Sequence, residues 1–132
     1  MSAEAGFDLP GEWRGIFSYP SMFPPNEFRA SLRDSAGLLS GLISQPREVF
    51  EQPGPDHQAL IDGSRDGASV RWVKIYDALE RPTPHYEGTV QAGGDEIEGI
   101  WTIPGDWSGT FLMVRQSKAT NAVERKISEE VR

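Results

Sequence analysis

Six glycines stand at the centres of short runs in which apolar residues alternate along the chain. They are Gly15 in WRGIF, Gly41 in LSGLI, Gly63 in LIDGS, Gly88 in HYEGTV, Gly99 in IEGIW and Gly109 in WSGTF. In five of the six, the residues two before and two after the glycine are apolar or aromatic: Trp13/Phe17, Leu39/Ile43, Tyr86/Val90, Ile97/Trp101 and Trp107/Phe111. A glycine inside a strand weakens it unless it permits a bend or admits another group. Recurring on one face of successive strands, it predicts a small barrel whose sheet coils tightly.

Alternating segments separated by turn signals continue along most of the chain. Eight strands are expected, over residues 12–19, 26–33, 38–45, 57–64, 68–77, 84–91, 96–103 and 107–116. The second alternates cleanly: Phe28, Ala30 and Leu32 face one way, Glu27, Arg29, Ser31 and Arg33 the other. Asp34-Ser35-Ala36-Gly37 has the Asp-first, Gly-last pattern of a type I turn. Asp66-Gly67 is a hairpin signal. The fold class is therefore all-β, an eight-stranded antiparallel up-and-down barrel over residues 11–116. Residues 1–10 form an N-terminal extension. In the C-terminal tail, residues 117–132, Asn121 and Glu124 could cap a short helix carrying Val123, Ile127 and Val131 on one stripe.

Composition narrows the partners. The chain has 132 residues, enough for one core, and four Trp, six Phe and three Tyr to fill it. A net charge of −7 argues against nucleic acid and against anionic membrane surfaces, which need a basic face. No apolar run approaches a membrane span, and residues 1–11 lack the apolar stretch of a signal peptide. The absence of cysteine removes disulfides and thiolate chemistry, and points to a cytoplasmic location.

The glycine-bearing face, turned inward, brings large residues to the lumen, among them Trp13, Phe17, Tyr19, Phe28, Tyr86, Trp101, Phe111 and Arg115. So much volume predicts a nearly filled barrel with at most a pocket at one mouth. The fifth strand has two registers. One turns Val70, Trp72, Lys74 and Tyr76 inward, the other Arg71, Val73 and Ile75; the first internalises two aromatics and is favoured. Lys74 beside Tyr19, Tyr76 and Tyr86 is then the best polar constellation. It reads either as an anchor for an anionic ligand group or as a lysine satisfied by tyrosines and carbonyls. Outside, Ile16, Leu42, Leu60, Val73, Ile75, Ile100, Leu112 and Val114 are more apolar than a solvated wall requires, so a second subunit or the tail is expected to cover part of it. The continuous part is expected at Ile16, Ile100, Leu112 and Val114.

Gly11-Glu12-Trp13 opens the first strand and Arg115 closes the last, a pairing that resembles the calycin pattern of a G-x-W tryptophan packed beneath a guanidinium. With LLSGLIS in the third strand, Trp72-Val73-Lys74-Ile75-Tyr76 in the fifth, YEGTV in the sixth and IEGIW in the seventh, residues 11–115 resemble the avidin and streptavidin barrels. The resemblance implies a lipocalin-like meander and side-to-side association. It does not carry the biotin site: Phe17-Ser18-Tyr19-Pro20 stands where the family places Asn and Ser, and only Trp101 among the site tryptophans has a clear counterpart.

No enzyme signature is present. His57 and His85 have no metal-like spacing, no serine sits in a nucleophile elbow, and Gly93-Gly94-Asp95 precedes a strand and not a helix. The expectation is a non-enzymatic barrel without metal or cofactor. It would bind a small, partly apolar ligand through Tyr19, Trp72, Lys74, Tyr76, Tyr86 and Trp101, as a homodimer or larger homo-oligomer. The alternative is a filled barrel acting through its outer wall.

Overall fold

In a computed structural model, the structure describes residues 9–20, 25–47, 52–76 and 82–116. The strands are β1 (Gly11–Ser18), β2 (Asn26–Ser35), β3 (Leu38–Gln45), β4 (His57–Asp66), β5 (Ser69–Tyr76), β6 (His85–Gln91), β7 (Glu96–Thr102) and β8 (Ser108–Arg115). Each pairs antiparallel with the next, and β8 pairs with β1, closing the barrel in simple meander order. This is an all-β barrel of eight antiparallel strands, compatible with a calycin-like fold. The tail at 117–132, and the helix expected in it, lie outside the described residues.

The two-residue period decides what is inside. On β2, Phe28, Ala30 and Leu32 are buried while Glu27, Arg29 and Arg33 are exposed. On β5, Val70, Trp72 and Lys74 are buried and Arg71 and Ile75 are exposed, which is the register with both aromatics turned inward. A one-residue slip would carry all of them to the opposite face. The glycines act as the coiling demands. At Gly99, a Cβ would meet the Glu87 carbonyl of β6 and stand 2.5 Å from the Gly88 Cα, so only glycine lets these strands cross so closely.

The β2–β3 connection differs from the expected type I turn. Ser35 pairs with Leu38, leaving Ala36 and Gly37 as a two-residue loop, both with positive φ (52° and 92°). Positive φ at both positions is the type I′ pattern, whose twist matches that of the flanking strands. Asp34 caps the Gly37 N–H (3.0 Å) and accepts from Arg65 Nε (2.7 Å), tying the β2–β3 hairpin to the β4–β5 hairpin.

One barrel end is closed by Trp13 and Arg115. The Trp13 indole N–H donates to the Leu9 carbonyl (2.9 Å), and Leu9 is itself fully buried. Leu9 and Pro10, expected in an extension, thus belong to the barrel base. On the outer wall, Ile16 and Val114 are 1% and 3% exposed and form a small cluster with Leu112. Among the described residues, the exposed large apolar side chains are Leu42, Leu60 and Ile75, one cross-strand row over β3, β4 and β5, with Leu38 and Ile100 apart from it.

Candidate functional site

The opposite end of the barrel holds a cavity of ≈ 250 Å³. Its floor is the Lys74 ammonium on β5, 1% exposed. Inward alternation along β5, a strand of the barrel wall, puts Lys74 there, two residues after Trp72 and two before Tyr76. Its Nζ donates to Tyr86 Oη (3.3 Å) and, among the described residues, stands over four aromatic rings: Phe17 at 4.5 Å, Tyr76 at 5.1 Å, Tyr86 at 5.5 Å and Phe28 at 5.9 Å from the centroids. Ring faces carry negative potential, so this cage suits a cation that water no longer surrounds.

The upper walls are aromatic. Tyr19 lies 5.0 Å from Trp107 at 35° and 5.4 Å from Trp101 at 84°, centroid to centroid. Trp101 is fixed by its indole N–H, which donates to the Ser18 carbonyl across the barrel seam (3.1 Å). Gly109 makes room for it: a Cβ there would come 2.7 Å from Trp101 Cζ2, so the ring lies against bare β8 backbone. Pro82, Pro84 and Ile103 complete the apolar lining, and Asp106, in the β7–β8 turn, supplies an exposed carboxylate at the rim.

Of the six residues the sequence singles out, Tyr19, Lys74, Tyr76, Tyr86 and Trp101 line this cavity. Trp72 does not. It stacks behind Tyr86 at 5.5 Å and 11°, holding the hydroxyl-bearing ring from the core side. Sequence reading leaves out Phe17, Trp107 and Asp106 as site residues. Trp107 was within reach, because it has the inward parity of Gly109 at the start of the last strand. Asp106 was not, because a turn carboxylate carries no signal of the cavity beside it.

Two further lumen groups stand out. Gln45 is fully buried and neither atom of its amide has a hydrogen-bond partner; the Trp72 indole N–H is likewise unpartnered. Gln45 pairs across β3–β4 with His57, whose ring meets Tyr76 edge-on at 6.0 Å, so it lies at the cavity end of the barrel. His85 is exposed on the outer face.

The sequence matches no known protein-family model and no curated protein.

Proposed function

We propose that the protein is a non-enzymatic, avidin-like barrel that binds one small, partly apolar ligand at the mouth lined by Tyr19, Lys74, Tyr76, Tyr86 and Trp101. The observation that carries this reading is a buried cation on the floor of an aromatic cavity. A lysine is costly to desolvate, and a barrel needing only a filled core would place an apolar side chain there. A concave, mainly apolar site with a few convergent polar groups is the usual form of a small-molecule site. Biotin is not the expected ligand, because the stretch from Phe17 to Pro20 lacks the polar partners the avidin site uses.

Native mass spectrometry of freshly purified protein tests the proposal. A ligand-sized adduct, lost on denaturation, is expected. A bare chain whose tryptophan fluorescence also fails to respond to any member of a small aromatic and aliphatic fragment set would overturn it.

A second reading rests on a separate observation, the exposed Leu42–Leu60–Ile75 row. It makes the protein a homodimer that associates through β3, β4 and β5. The same spectrum reads that mass directly, and a chain that stays single would remove it.

A further inference from the structure

We infer that the mouth cavity selects an uncharged, flat aromatic ligand that keeps one N–H or O–H donor at the rim, on the Asp106 carboxylate. This rests on the reading of the mouth as a ligand site and adds the class of ligand it takes.

The size comes first. A volume of ≈ 250 Å³ is that of about eight water molecules at roughly 30 Å³ each. It suits one or two fused rings, and it falls below the roughly 300–1,000 Å³ of sites for drug-sized ligands.

Shape follows from the walls. Tyr19, Trp101 and Trp107 present ring surfaces at nearly perpendicular and tilted angles, with centroids 5.0–6.3 Å apart. Two of the rings are held from behind. Trp101 is tied to the Ser18 carbonyl and lies against bare backbone at Gly109. Trp107 belongs to a turn in which its carbonyl accepts from the Ile103 N–H (2.8 Å) and the Ile103 carbonyl accepts from the Asp106 N–H (2.9 Å). Fixed ring surfaces favour a further flat ring through stacked or edge-to-face contact. A flexible alkyl chain gains less there and loses more rotamer freedom.

Charge decides the rest. Lys74, on the floor, is partnered within the protein: it donates to Tyr86 Oη and stands over ring faces. A ligand anion would give up its water and then compete with those partners for the ammonium. A ligand cation would find an exposed carboxylate at Asp106, and a solvent-screened pair offsets little of the hydration it gives up. An uncharged ring meets neither cost. Among the described lining residues Asp106 is the sole carboxylate, and the same turn that fixes Trp107 fixes its backbone. A donor on the outermost edge of the ring can reach that acceptor without burying a charge.

The test is calorimetric titration of the full chain with four probes: indole, 1-benzofuran, indole-5-carboxylate and 1-hexanol. Benzofuran has the shape of indole without its N–H. Indole-5-carboxylate should bind at least about tenfold more weakly than indole, since an ion loses hydration on entering. Hexanol should also trail indole. Asp106→Ala should lower the ratio of indole to benzofuran affinity about three- to tenfold, the worth of one hydrogen bond. Asp106→Asn, which keeps an acceptor, should retain part of that ratio. Carboxylate binding equal to that of indole would overturn the uncharged assignment. Hexanol equalling indole would overturn the flat-ring assignment, and an unchanged ratio in Asp106→Ala the rim contact. Each of these outcomes leaves the mouth as a ligand site. If none of the four binds at millimolar concentration, both the inference and the ligand-site reading fall. The carboxylate and hexanol comparisons are read on the unaltered chain, and Asp106 lies in an exposed turn outside the core.

Discussion

The Arg115 guanidinium lies 4.7 Å from the centroid of the Trp13 ring, and the two residues are cross-strand partners where β8 meets β1. The pair sits on the seam that turns an eight-stranded sheet into a barrel. Arg115 also donates to Asp95 Oδ1, the Gly94 carbonyl and the Pro10 carbonyl, each at 3.1 Å, so one side chain joins the β6–β7 turn, the chain entering β1 and the last strand. Replacing Trp13 by Ala removes the ring under this clasp and should cost about 3–5 kcal/mol, as for other buried aromatic truncations. Arg115→Lys keeps the charge but loses the planar fork, and should cost less, about 1–2 kcal/mol. Urea unfolding measures both; an unchanged midpoint for Trp13→Ala would show that the ring is not part of the core.

Gln45→Met should stabilise the protein. The amide is buried with both atoms unpartnered, a condition that costs about 1–3 kcal/mol, and methionine is an unbranched side chain of similar length. A raised denaturation midpoint is expected. A lowered one would mean that the amide serves a partner in the native protein, and would assign Gln45 to the polar machinery of the mouth.

Two glycines separate close approach from backbone conformation. At Gly99 an added Cβ collides with the β6 backbone, so Gly99→Ala should destabilise by about 3 kcal/mol or more. At Gly105 the space is open and only the positive φ of 77° opposes a side chain, so Gly105→Ala should cost about 1 kcal/mol. Thermal unfolding of the two variants side by side gives the order, and a reversed order would contradict the close packing of β6 on β7.

If the barrel associates through its outer wall, Leu60 is the central contact, because it pairs with both Leu42 and Ile75 and is half exposed. Light scattering should then give twice 14.6 kDa for the unaltered chain and a single-chain mass for Leu60→Glu. Leu112→Glu should act differently. Leu112 packs on the buried Ile16 and Val114, so a charge there should lower stability and leave the mass unchanged. A single-chain mass at micromolar concentration before any substitution would defeat the dimer.

Much of the architecture was legible in the chain because strands write a period of two. Phe28, Ala30 and Leu32 announce a face without reference to anything distant, and Gly99 between Ile97 and Trp101 announces that the face is crowded. The choice that put Lys74 inside followed from the same rule, since Trp72 and Tyr76 share its parity. Local pattern carried these because alternation and glycine placement are properties of a few neighbouring residues. Tertiary structure alone decided the rest. Trp107 and Asp106 join Lys74 only because barrel closure brings the β7–β8 turn over the end of β5, and Trp72 stays off the cavity because its cross-strand partner Tyr86 stacks over it. Ile16 and Val114 carry outward parity yet are buried, while Leu42, Leu60 and Ile75 with the same parity are exposed. Which of two outward apolar rows meets water is set by what packs across the wall, and a two-residue period holds no record of that.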